Sequence, residues 1–179
     1  GPGGIGKTYL AGWLSKEAES AGFKVLWVDC NEREVSAQSF LTAVAHRMPD
    51  DYMAAFIHEP DHKLEEKFDV ALEYLDHSPC LVVFDDYHQV PAGKGLEDLF
   101  TRIIHTTHHI KVAITSRVRP ACLDDPSWAP GSAAEVSLAG LPSDGDAPYA
   151  LMVFAGMLPW TLFATSLSEA SNSLIGNAN

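Results

Sequence analysis

The sequence predicts an α/β fold in which helices cover a mostly parallel sheet. Three observations carry this. VLWV at 25–28, LVVF at 81–84 and VAI at 112–114 are short, unbroken apolar runs, the mark of strands buried on both faces. The stretches between them repeat apolar residues at helical spacing. Strands that alternate with helices favour parallel pairing, because each return to the sheet needs a crossover.

Taken in order, Leu10, Trp13, Leu14, Ala18 and Ala21 share the face of a first helix. Phe40, Leu41, Val44, Ala45 and Met48 define a second, with Ser36 as its N-cap. Leu64, Phe68, Ala71, Leu72 and Leu75 repeat the spacing, and Leu96, Leu99, Phe100, Ile103 and Ile104 do so most cleanly. EVSLAGL, 135–141, reads as a weaker final strand. Residues 49–62 and 118–133 read as loops, the latter rich in Pro, Asp and Gly. The stretch 147–168 carries no charge and is long enough to span a bilayer. Pro159, Gly156 and the lack of a basic anchor on either flank favour two packed helices broken at Leu158-Pro159, and no membrane. The chain thus divides into a core over 1–140 and a C-terminal helical segment over 141–179.

Composition narrows the function classes. The 179 residues are 46% hydrophobic and 20% charged, which excludes wholesale disorder. A net charge of −12, with no Lys or Arg after Arg119, opposes direct nucleic-acid binding by this segment. Three scattered cysteines, Cys30, Cys80 and Cys122, supply neither a disulfide framework nor a Cys-rich zinc site. The opening lacks a basic n-region, so no signal peptide is expected, and the reading is reducing and cytoplasmic.

Gly1-Pro2-Gly3-Gly4-Ile5-Gly6-Lys7-Thr8 fits the pattern G-x-x-x-x-G-K-[ST] in full. Such glycines permit positive φ and close backbone approach, so successive N–H groups form an anion nest that feeds a helix N-terminus. Gly1, Gly3, Gly4, Ile5, Gly6, Lys7 and Thr8, with the backbone of Tyr9, are the expected phosphate-binding residues. Lys7 would bridge β and γ phosphates, and the Thr8 hydroxyl would ligate Mg2+. LVVFDD, 81–86, runs a buried strand into two carboxylates at the sheet edge where ligands of such folds bind. Asp85 is expected to hold Mg2+ and Asp86 to orient the attacking water. VAITSR, 112–117, ends a neighbouring strand in Arg117, which could report on the γ-phosphate.

GPGGIGKTYLA, LVVFDDYHQV, ITSRVRP and EVSLAGLP, in this order, resemble the STAND class of signal-transduction P-loop ATPases. The likeness is to the NB-ARC-like ATPases and the ATPase domains of maltose-activator-like regulators, and it covers almost the whole chain. It implies a three-layer αβα P-loop NTPase fold with catalytic roles for Lys7, Asp86 and Arg117. It also implies an ATP/ADP switch with slow Mg2+-dependent hydrolysis, self-association in the ATP state, and sensor and effector domains elsewhere. In that class 141–179 would begin the helical subdomain that follows the core. The strand that precedes such a loop is missing from Gly1 onward, so a chain trimmed at both ends is expected. A gap is expected between the strand ending at Asp85, or its neighbour, and the last strand.

Two other function classes compete: a small P-loop kinase or phosphotransferase, and an interaction module that keeps the motifs without turnover. The paired acids Asp85-Asp86 favour water attack over transfer to a bound acceptor. His58-Glu59-Pro60-Asp61-His62 fits H-E-x-x-H, but Pro60 opposes the continuous helix that a zinc site of this kind needs. His105, His108 and His109 read as a solvated or cationic helix end. His88 is as compatible with plain surface as with the nucleotide.

Overall fold

A computed structural model describes residues 6–31, 35–49, 51–106, 109–124, 133–138 and 149–155. Its helices are α1 (Lys7–Ser20), α2 (Ala37–Ala45), α3 (Asp51–His58), α4 (Leu64–Asp76) and α5 (Leu96–Thr106). The strands are β1 (Lys24–Asp29), β2 (Cys80–Asp85), β3 (Ile110–Ser116), β4 (Ala133–Leu138) and β5 (Tyr149–Ala155). They form one sheet in the order β1-β2-β3-β5-β4. β1, β2 and β3 pair in parallel, with Val28 opposite Phe84 and Phe84 opposite Ile114. β5 runs antiparallel to both β3 and β4. The protein is therefore α/β, with a three-stranded parallel sheet and helices on both of its faces.

Strand alternation divides the core in two. Val82 and Phe84 of β2, with Val112 and Ile114 of β3, meet Phe40 and Leu41 of α2, Phe68 and Leu72 of α4, and Leu99, Phe100 and Ile103 of α5. Leu81, Val83 and Ala113 turn the other way and meet Leu10, Ala11, Leu14 and Ala18 of α1. The aromatic centre lies on the first side: the ring of Phe84 stacks on Phe40 at 6.0 Å and meets Phe100 edge-on at 5.2 Å.

Local signals explain the helix starts. Ser36 caps α2 with a capping box: its hydroxyl accepts from the Ser39 N–H, and the Ser39 hydroxyl accepts from the Ser36 N–H. Gly95, at φ +78°, leads into α5 where a Cβ would stand 3.1 Å from the Ala37 Cβ. Only glycine combines that backbone with that contact.

Three expectations are corrected. Residues 51–58, read as part of a loop, form α3, because Met53, Ala54 and Ile57 place an apolar stripe against the larger core. Residues 149–155, read as helix, form β5: YALMVFA is equally apolar in either period, and pairing with two strands satisfies its backbone. The remainder of 141–179, including the expected break at Leu158-Pro159, lies outside the described residues. The expected gap in the sheet is closed by this same strand. The connections from β1 to β2 and from β2 to β3 pass through α2, α4 and α5 on one face, while α1 lies on the other. A strand leading into α1 would then belong beyond β3, and that is the position β5 takes, in the opposite direction. No helix among the described residues is long and apolar enough to cross a membrane.

Candidate functional site

The site forms where β2 and β3 end and α1 begins. Asp85 has the same strand parity as Leu81 and Val83, so its carboxylate emerges on the α1 face of the sheet. There the Thr8 hydroxyl, 77 residues away in sequence, donates to Asp85 Oδ2 at 2.8 Å. The Thr115 hydroxyl donates to Asp85 Oδ1 and accepts from the Asp86 N–H at 2.8 Å. Thr115 is fully buried, Asp85 is 4% exposed, and Thr8 opens to solvent. The carboxylate is thus fixed from below by Thr115 and faces outward beside an accessible hydroxyl.

Gly6 caps α1 in the left-handed region at φ 76°, with no side-chain cap and no acidic residue in the first turn. The first-turn N–H groups and the positive end of the helix are therefore uncompensated by the chain's own carboxylates in that turn. Lys7, the first residue of α1, is buried, and its ammonium lies 3.6 Å from Asp86 Oδ1.

Asp86 has φ 55°, the only non-glycine positive φ among the described residues. A left-handed aspartate is tolerated but uncommon, and such backbones gather at functional sites. The Asn31 amide donates to Asp86 Oδ2 at 2.8 Å. Burial works against the Asp86 charge, yet Asn31, Lys7 and His88 together hold its carboxyl below the ordinary value. Burial lowers the His88 imidazole, Asp86 opposes that, and the cations Arg117 and Lys7 lower it further. Cys30, at the end of β1, is pushed up to about 12 by burial and then by Asp29, Asp85 and Asp86, which leaves an unreactive thiol.

Of the residues singled out from sequence, Lys7, Thr8, Asp85 and Asp86 come together here. Arg117 follows β3 at the same sheet edge, exposed and within electrostatic range of His88. The Tyr9 side chain is 68% exposed and leaves its backbone as the group within the first turn. Gly1, Gly3, Gly4 and Ile5 lie outside the described residues. Comparison with protein-family models, curated proteins and solved structures found no match.

Asn31 and Thr115 were missed. Thr115 lies within VAITSR and shares the parity of Ala113, a signal that could have found it; nothing in the sequence ties Asn31 to Asp86. The H-E-x-x-H segment is not one helix: α3 stops at His58, while the His62 ring stacks on Phe56 at 3.7 Å and meets Glu59 and Glu66. Among the described residues no group of three or more His, Cys, Asp or Glu side chains could hold a metal ion. A divalent cation held by one hydroxyl, one carboxylate, water and phosphate oxygens needs no such group.

Proposed function

We propose that this chain is an ATP/ADP-binding P-loop switch of the STAND type, with slow Mg2+-dependent hydrolysis coupled to conformational change or self-association. One observation carries the reading: the Thr8 hydroxyl sits on the Asp85 carboxylate, next to Lys7, at the start of a helix with no acidic residue in its own first turn. A hydroxyl beside a carboxylate is the donor set that Mg2+ takes when phosphate oxygens and water fill its other positions. Asp86 Oδ1, buried and without a hydrogen bond, also fits an added hydrogen-bond donor such as water.

In this reading Lys7 and the N–H groups of the first turn of α1 bind the phosphates, and Thr8 and Asp85 hold Mg2+. Mg2+ held by Thr8 and Asp85 would supply positive charge against the charge that develops in phosphoryl transfer. Asp86, kept ionised by Asn31 and Lys7, orients the attacking water and accepts its proton. Arg117 meets the γ-phosphate with ATP and loses that contact with ADP, so it biases the two states through their differential affinity. A phosphotransferase would need an acceptor positioned where Asp86 stands, and no observation here favours it over water.

The test is titration of the chain with ATP and Mg2+, followed by calorimetry, for wild type and Lys7→Ala. Saturable Mg2+-dependent binding that Lys7→Ala weakens at least about tenfold, the worth of one charge-assisted contact, is the expected result. Equal affinity for both proteins would contradict the assignment.

A further inference from the structure

We propose that His88 is a positioning residue for Asp86, taking over its Oδ1 through a hydrogen bond from Nδ1–H when Lys7 turns to a phosphate group. This rests on the nucleotide reading above. Asp86 Oδ1 and His88 Nδ1 are both buried without a hydrogen-bond partner, and they lie 3.8 Å apart. Lys7 Nζ approaches the same oxygen to 3.6 Å, an ion-pair distance too long for a hydrogen bond. One carboxylate oxygen therefore stands between two donors and bonds to neither.

The rest of Asp86 is tied down. Asn31 holds Oδ2, and the Asp86 N–H donates to Thr115, so Oδ1 is the atom left to exchange partners. The ring proton of His88 is assigned from its far side. The Gln89 amide nitrogen lies 3.3 Å from His88 Nε2, and an amide nitrogen only donates. Nε2 then accepts, which puts the proton of a neutral ring on Nδ1, facing Asp86. Buried polar atoms left unpaired are costly, so the open arrangement depends on the Lys7 charge standing at Oδ1. Withdrawal of Lys7 leaves His88 as the nearest donor, and closing 3.8 Å to bonding distance keeps the carboxylate aimed at the same place.

Imidazole NMR of the full chain, labelled with 15N-histidine, tests this. The His88 signal is assigned among the 8 histidines by its loss in His88→Asn. A downfield, slowly exchanging Nδ1–H resonance is expected in Lys7→Ala, and in Lys7→Met, which keeps the buried stem, without any nucleotide. Wild type should show it only with ATP and Mg2+, and Asp86→Asn should remove it. His88→Ala should lower kcat roughly tenfold with KM unchanged, the scale of one lost hydrogen bond, and His88→Asn should recover part of it. A His88 signal in both Lys7 variants identical to wild type overturns the proposal. A response in the Lys7 variants with none to ATP and Mg2+ upholds the exchange and overturns the nucleotide reading instead.

Discussion

The two faces of the sheet are built from the same strands and do different work. Phe84 and Asp85 are consecutive, yet alternation sends the ring into the helices α2, α4 and α5 and the carboxylate toward α1. The first face is large and buries its phenylalanine rings fully. The second is a smaller buried patch of Leu81, Val83 and Ala113 against α1, edged by the half-buried rings of Trp13, Phe23 and Trp27, and it ends in hydroxyls and charges. The larger cluster of buried side chains lies on the first face, and the candidate site lies at the end of the thinner layer. A site can then carry a buried oxygen without a hydrogen bond and a left-handed aspartate without resting the fold on them.

The largest effect is expected of Phe84→Ala. Truncating this fully buried ring, which contacts Phe40, Tyr87 and Phe100, should cost about 3–5 kcal/mol, a large share of the ~5–15 kcal/mol of a typical domain. Urea unfolding checks it, and Leu14→Ala on the α1 face should lose less. A larger loss from Leu14→Ala would mean that the α1 face carries more of the stability.

Thr115→Val sharpens the contrast. It keeps the volume but removes the donor to Asp85 and the acceptor for the Asp86 N–H, at a cost of about 1–3 kcal/mol. Its effect on Mg2+-dependent nucleotide binding should be the greater one, because Asp85 loses its support. A variant with normal ligand response and a stability loss as large as that of Phe84→Ala would make Thr115 a packing residue.

The smallest expected effect comes from the thiols. Burial raises Cys30 to about 12 and Cys80 to about 11, from an ordinary 9.0. With folded values above unfolded ones, their contribution is complete below pH 9.0 and is lost as pH rises toward 11–12, since only the unfolded thiols ionise there. Both should resist alkylation at neutral pH until the chain unfolds. Rapid native-state labelling of Cys30 or Cys80 would show that burial does not protect them.

Much of this was legible in the sequence, for physical reasons. Unbroken apolar runs announced β1, β2 and β3, and the stripes at helical spacing announced α1, α2, α4 and α5, since burial on one or two faces writes the period directly. Lys7, Thr8, Asp85 and Asp86 were legible because a glycine turn and a strand-ending acid pair are local features. α3 was hidden by the turn residues on either side of its short apolar stripe. β5 was hidden because a uniformly apolar segment does not declare its period, and only a free sheet position decides it. Asn31 was out of reach altogether: its bond to Asp86 joins two strand ends 55 residues apart.

The central claim is that Asp85 serves a ligand while its neighbour Phe84 serves the fold, and Asp85→Asn tests it most directly. The substitution keeps size and an acceptor for Thr8 while removing the charge that would hold Mg2+. ATP affinity is measured with and without Mg2+ for wild type and variant, with circular dichroism of each as the check on folding. The account predicts an unchanged spectrum, a Mg2+-dependent gain in ATP affinity for wild type, and loss of most of that gain in Asp85→Asn. An equal Mg2+-dependent gain in a folded Asp85→Asn would contradict it.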